Sequence, residues 1–218
     1  MDEPPEPIGV DDLPTALHKG LQEAADLGLV EVWEAGMSDP SHLDALRTLR
    51  DLGPLPTRAR ILVASGLAEL GMPNRTGDEW LDVVGVKFYA DGWLGPRTCA
   101  LCRPFADHPG DDGILFQDSD RLAARMAPFA EDGWLIATHA IGDRAIEHVL
   151  DAYHQVYGDD CAGAAPRIEH AQVLRPELIV RMAEMGVVAC IQPCFAASDA
   201  TDVEHGLGDG WPSAYRWD

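Results

Sequence analysis

The sequence predicts an α/β fold with a parallel sheet, arranged as part of a (β/α)8 TIM barrel, and three observations carry that prediction. Six short apolar or alternating runs are separated by crossover segments, most with helical period, which is the order of βα units. Within the runs the pattern is either continuously apolar or of period two, the two patterns of buried and half-buried strands. A titratable residue stands at or near the C-terminal end of three different runs: Lys87, His139 and His170. Six βα units alone suit an open doubly wound sheet equally well. In a barrel those three strand ends converge on one face, where catalytic groups collect, and this selects the barrel.

Taken in order, residues 1–12 form an acidic, proline-rich N-terminal segment, and residues 13–218 form one incomplete barrel domain. LPTALHKGLQEAADLG predicts a helix with apolar positions at Leu13, Ala16, Leu17, Leu21, Ala24 and Ala25, closed by Gly28 and followed by the strand LVEVWEA. SHLDALRTLRDLG predicts a second helix, capped by Ser41 and stopped by Gly53 and Pro54. The strand RILVASG, a weak helical stretch and the strand VVGVKFYADG come next. Residues 93–117 contain repeated Gly and Pro without a sustained period and predict a long loop, a feature that is usually functional or disordered. Helix DSDRLAARMAPFAEDG, strand WLIATHA, helix GDRAIEHVLDAYHQVYG, strand PRIEHAQ, helix RPELIVRMAEMG and strand VVACIQP complete the alternation.

Composition narrows the function. The 218 residues carry 37 acidic against 16 basic side chains, a net charge of -21 that would repel phosphate backbones and anionic lipid, so neither nucleic acid nor a membrane is the expected partner. No apolar run reaches the roughly 18 residues of a membrane helix. The start lacks a basic and then apolar leader pattern, and five cysteines form an odd set, which together favour a reducing, cytoplasmic setting. The pairs Cys99/Cys102 and Cys190/Cys194 lie too far apart for a compact four-cysteine zinc site.

Lys87 is the informative residue. The chain has 14 Arg and two Lys, and one of the lysines sits in an apolar strand run before an Asp-Gly turn. Two imidazoles from other strand ends would supply nitrogen to a zinc-like ion, and such sites also take an anionic oxygen. A lysine amine that adds to carbon dioxide becomes a carbamate with two oxygens. A guanidinium, which keeps its charge on burial, does not follow that route. The alternative is that Lys87 snorkels to the surface or pairs with Asp91.

The segments VKFYADGWLGPRTCAL, THAIGDRAIEHVLDAY, PRIEHAQVLRPE and IQPCFAASD together resemble the amidohydrolase superfamily, in particular the amidohydrolase 3 group with its N-substituted formamide deformylase-like enzymes. The resemblance runs from about residue 13 to residue 215 and corresponds to strands 2 to 7 of that barrel. It implies a metal-dependent hydrolase of non-peptide C–N bonds, of amide or formamide type, using water activated by one or two divalent ions, zinc first among them, on a small-molecule substrate. It implies a carboxylated Lys87 with His139 and His170 as metal ligands. Asp91 and Arg97, in or near the loop after the lysine strand, are expected to meet substrate, the alternatives being turn chemistry and a surface ion pair, and Gln192 is expected to hydrogen-bond substrate or to serve as a structural amide. Asp143 is expected to orient His139 from behind or to cap the following helix. Glu169, by strand alternation, is expected to face away from His170 and to pair with Arg167.

The family pattern also has a His-x-His pair on its first strand and an aspartate on its eighth that serves as ligand and proton shuttle, and neither is found in these 218 residues. The expectation is therefore a fragment inactive by itself, or an oligomer that covers the open barrel edges. The alternative is a truncated, non-catalytic remnant acting as an interaction or metal-binding module.

Overall fold

The computed structural model describes residues 12–71 and 77–208. The acidic N-terminal segment, through residue 11, and the last ten residues lie outside them. Six strands follow chain order across one sheet, β1 (Glu31–Met37), β2 (Arg58–Ala64), β3 (Leu81–Tyr89), β4 (Leu135–Ala140), β5 (Arg167–His170) and β6 (Val188–Cys190). The pairs β1/β2, β4/β5 and β5/β6 are parallel. Consecutive parallel neighbours joined by helical crossovers are the repeating unit of a (β/α)8 barrel, of which this chain forms a part.

Contacts divide the chain into two compact units, Met1–Val86 and Lys87–Asp218. In the first, α1 (Leu13–Asp26) opens with a proline in its first turn, where the missing N–H is no loss, and ends at Gly28, whose φ of 84° suits glycine. The next helix, α2 (Pro40–Leu52), corrects the expected cap. Asp39, not Ser41, is the capping residue, and its carboxylate accepts the Ser41 N–H at 2.9 Å, because Pro40 occupies the first helical position. Leu43, Ala45 and Leu46 of α2 are buried, as are Ile61, Leu62 and Val63 of β2. A four-residue helix, α3 (Ser65–Ala68), stands where the sequence has only weak helical signal.

The entry to β3 is held by Asp78, whose carboxylate accepts from the N–H groups of Trp80 (2.7 Å) and Leu81 (3.1 Å) and from Arg50 Nε (2.8 Å). The Arg50 hydrogen bond, with the two backbone donors, lowers the Asp78 pKa to about 2. A carboxyl depressed in the folded state stabilises the fold above its unfolded pKa, and that contribution disappears as pH falls through the folded value. Asp78→Asn should therefore be less stable than wild type at neutral pH. The gap should narrow as pH drops from about 4 toward 2, read from urea midpoints. A gap independent of pH would place its origin elsewhere.

In the second unit, α4 (Ser119–Glu131) is capped by Asp118, which accepts from Arg121 N at 2.9 Å. Helix α5 (Asp143–Tyr157) buries Ala145, Ile146, Val149, Leu150, Ala152 and Tyr153. The Tyr153 hydroxyl donates to Thr138 Oγ1 (2.8 Å) or to the Arg167 carbonyl (2.6 Å), linking α5 to β4 and β5. Helix α6 (Cys161–Ala164), helix α7 (Pro176–Met185), α8 (Phe195–Ser198) and α9 (Ala200–Leu207) complete it. Strand β6 is shorter than the predicted run, and α8 and α9 follow where the sequence was read without an element. Pro193 lacks a ladder N–H and disfavours helix at the residue before it, so extended pairing ends and a turn intervenes.

The long loop is packed. Leu94, Cys99, Leu101 and Phe105 form one buried cluster with Ile141, Val173 and Leu207. That apolar burial explains how a segment with only an isolated bridge, Phe105 to His108, keeps a fixed path. Among the described residues no helix is long and apolar enough to cross a membrane.

Candidate metal centre

Strand alternation aims the first group. Phe88 packs edge-on against Phe129 of α4, with ring centroids 6.2 Å apart, so Lys87 and Tyr89 point to the opposite face of β3. Lys87 is 3% exposed and its Nζ stands 4.2 Å from the centroid of the Tyr89 ring. Backbone pairing carries the neighbouring strand into register here, with Ala90 N donating to the His139 carbonyl at 2.9 Å. The Tyr89 and His139 rings are 5.6 Å apart.

His139 and His170 meet edge to face with centroids 4.7 Å apart. Register pairs His139 with Glu169, not with His170, so simple alternation would place His170 on the far face. Backbone conformation resolves this. His170 has φ 78° and Ala171 φ 47°, and these two left-handed residues break the pleat and swing His170 round to His139. Glu169 pairs with Arg167 at 2.9 Å as expected, but its position is corrected: it shares the register row of His139 rather than turning away from the site. The signal that would have revealed this, a positive φ at a histidine, is not written in residue type.

Each imidazole has one nitrogen occupied. His139 Nε2–H donates to the Gly92 carbonyl at 2.8 Å, and since a carbonyl only accepts, the proton is on Nε2 and the lone pair on Nδ1. His170 Nδ1–H donates to Gln192 Oε1 at 2.6 Å, leaving the lone pair on Nε2. The Gln192 amide is itself oriented, its Nε2 donating to the Cys190 carbonyl at 2.8 Å. Burial lowers the pKa of His139 to about 4, with His170 and Lys87 adding to the shift, and burial lowers His170 as well. Both rings are thus neutral near pH 7 with a nitrogen lone pair available, the state a metal ligand requires. Among the described residues no three His, Cys, Asp or Glu side chains form a metal-holding group. The two imidazoles and the buried Lys87 fit a metal as a set only if the lysine contributes an anionic oxygen.

The other expected residues have different neighbours. Asp91 is 1% exposed and accepts from three backbone N–H groups, Ala100 (2.9 Å), Ile141 (3.0 Å) and Gly142 (2.8 Å), with its Oδ1 3.4 Å from His139 Nε2. Burial pushes its carboxyl up to about 7 while those three donors pull the other way. Arg97 pairs with Asp107 within the loop, Nε to Oδ1 at 3.0 Å. Asp143 is the first residue of α5. Its Oδ1 accepts from Cys102 N (2.8 Å) and Arg144 N (3.1 Å), and its Oδ2 stands 3.2 Å from Arg175 Nε. The His139 ring hydrogen-bonds the Gly92 carbonyl.

A cavity of about 370 Å³ opens over the two histidines. Trp93, Leu94, Gln172, Phe195, Asp199 and Asp202 contribute to its wall. The Phe195 ring stacks on His170 with centroids 6.2 Å apart, and Gln172 donates to Asp199 at 2.9 Å. None of these was singled out in the sequence. Trp93, beside the Asp-Gly turn, was the readable one.

The sheet and its helical crossovers define part of a (β/α)8 barrel. Two crystal structures of uncharacterized metal-dependent hydrolases share the fold. That from Pyrococcus furiosus has a TM-score of 0.81 at 26% identity over 96% of this chain and 44% of that one. That from Pyrococcus horikoshii OT3 has a TM-score of 0.77 at 28% identity over 91% and 40%. The sequence model of the amidohydrolase family, Amidohydro_3, matches residues 9–217, and the chain belongs to that family. It is 31% identical over 221 residues to YtcJ of Bacillus subtilis (strain 168), whose name assigns it provisionally to the amidohydrolases, and 35% identical over 218 residues to Protein LONG AFTER FAR-RED 3 of Arabidopsis thaliana. These alignments cover 94% and 92% of this chain but 41% and 37% of those relatives. The chain therefore spans about two fifths of their length.

Proposed function

We propose that this chain carries part of the active site of an amidohydrolase that cleaves non-peptide C–N bonds, of amide or formamide type, in a small-molecule substrate. The observation that supports it most directly is the pair of neutral imidazoles, 4.7 Å apart, beside the buried Lys87. In this reading His139 Nδ1, His170 Nε2 and a carboxylated Lys87 hold one or two divalent ions, zinc by preference for imidazole and oxygen donors. The chemistry such an ion supplies when bound is Lewis acidity, lowering the pKa of a water to about 7 and polarising a carbonyl. The chain's own residues prepare the site. Gly92 and Gln192 fix the two tautomers, and Trp93 and Phe195 offer apolar wall to the substrate's organic part. The proton-shuttle aspartate that the family pattern places on its eighth strand does not stand on any of the six described strands, and these strands by themselves are proposed to hold metal without turnover.

Carboxylation is the step that tests the reading. The Lys87 amine would attack carbon dioxide, forming a C–N bond and releasing one proton to give an N-carboxylate. With 13C-labelled bicarbonate, the wild-type chain is expected to show a carbamate carbon and to gain zinc. Lys87→Arg, which keeps a cation but cannot form this group, is expected to show neither. Equal zinc uptake by Lys87→Arg would refute the lysine's part.

A further inference from the structure

The Asp91 carboxylate collects donors from three places in the chain. Ala100 N and Gly142 N meet Oδ2 at 2.9 and 2.8 Å, and Ile141 N meets Oδ1 at 3.0 Å. His139 Nε2 is 3.4 Å from the same Oδ1 and 2.8 Å from the carbonyl of Gly92, the next residue. In the ionised form that its three N–H donors favour, the carboxylate has only acceptor sites, about four of them; the backbone donors fill three, and His139 Nε2, at 3.4 Å beyond hydrogen-bond length, faces the fourth. Its neighbour Gly92 is pinned in turn, with its N–H on the Thr98 carbonyl at 3.1 Å. A Cβ at Gly92 would fall 2.1 Å from Thr98 Oγ1. Ala100 is equally fixed, because its carbonyl accepts Arg144 N at 3.1 Å. The segment between Gly92 and Ala100 supplies Trp93, Leu94 and Gly95 to the cavity wall.

We propose that Asp91 is a positioning residue, which seats the Trp93 wall of the cavity and, together with the Gly92 carbonyl, holds the proton of His139 on Nε2 so that Nδ1 faces the site. This assigns Asp91 to the imidazole and the loop instead of to substrate. It rests on the metal-hydrolase reading only for the use made of Nδ1; the tautomer itself is a property of the chain.

Asparagine at position 91 makes the argument sharp. Its amide has one acceptor oxygen and one NH2 donor. An NH2 at the Oδ2 place would oppose two backbone N–H groups, whereas at the Oδ1 place it opposes one, so the second orientation is preferred. There the NH2 opposes His139 Nε2–H donor to donor, against the Gly92 carbonyl that still accepts at 2.8 Å, so the Nδ1–H form is populated beside the Nε2–H form and not in its place.

The test is long-range 15N–1H spectroscopy of the intact chain after chelation, with zinc titration alongside. Wild type is expected to show His139 as the Nε2–H form. Asp91→Asn is expected to populate the Nδ1–H form and to bind zinc about 10- to 100-fold more weakly, the usual loss for a residue orienting a ligand. Asp91→Glu, which remains acceptor-only, is expected to keep the wild-type tautomer. An unchanged tautomer and zinc affinity in Asp91→Asn, with only the Ala100 and Gly142 amides losing protection, would reduce Asp91 to a loop tie and overturn the proposal. Should Asp91→Asn not fold, the wild-type and Asp91→Glu spectra decide, and Nδ1–H in either overturns it. Failure of wild type to take up zinc, with His139 as Nε2–H, sinks the metal-hydrolase reading and leaves the positioning role standing.

Discussion

His139→Ala should weaken zinc binding by more than about 100-fold, since residues that merely orient a ligand already cost about 10- to 100-fold. The expectation follows from geometry. In the proposed site His139 and His170 are the two imidazole donors, and removing one leaves a single imidazole beside Lys87. The fold should survive, because what is lost is one hydrogen bond to the Gly92 carbonyl, the 3.4 Å contact with Asp91 and the contacts of two rings, Tyr89 and His170. Competition titration with a chromogenic chelator reads the affinity, and circular dichroism checks the fold. Zinc binding unaffected by the substitution would place the metal away from these strands. The same variant bears on turnover. If the zinc-loaded wild-type chain hydrolysed N-formyl amines or simple amides and His139→Ala did not, the chemistry would stand and the expected inactivity of the chain alone would be wrong.

The barrel class was legible because its evidence is periodic and local: apolar runs alternate with helical crossovers, and a lysine in an apolar strand of a lysine-poor chain draws notice. The helices α1, α2, α4, α5 and α7 announce themselves through caps and stops such as Asp118, Gly28 and Gly186. What was illegible depends on backbone conformation or on distant partners. The turn of His170 toward His139 rests on a positive φ that histidine does not advertise. Asp91 looks like a turn residue beside glycine, and its three N–H donors come from positions 100, 141 and 142. Gln192, which ends an apolar run, was read as meeting substrate or serving as a structural amide, and its amide oxygen accepts from His170 Nδ1–H, a contact across 22 residues. Local pattern finds the elements and the strand-end candidates; it does not find which candidate bonds to which.

Gly142→Ala should cost about 3 kcal/mol or more, at the upper end of overpacking effects, although its backbone permits alanine. Gly142 has φ -76° and ψ 149°, ordinary values for an L-residue. On conformational entropy alone the change would stabilise by about 0.4–1 kcal/mol. The space decides otherwise. A Cβ there would stand 1.9 Å from the Ala100 carbonyl oxygen and 2.5 Å from its carbon, both backbone atoms. That residue cannot retreat cheaply, since its carbonyl oxygen accepts Arg144 N and its own N–H donates to Asp91. Displacing it would detach the loop from the N-terminus of α5, release Asp91 from two of its three donors and loosen the wall above His139. Stability and zinc affinity should therefore fall together, the first read from urea unfolding and the second from titration. Gly20→Ala provides the contrast. In α1 the added carbon meets nothing within 4 Å, and the helical propensity gain of about 0.5–1 kcal/mol should appear without any change in zinc binding. A Gly142→Ala chain as stable as wild type would mean that Ala100 does not rest on Gly142, and the loop's hold on the site would have to come from its apolar cluster alone.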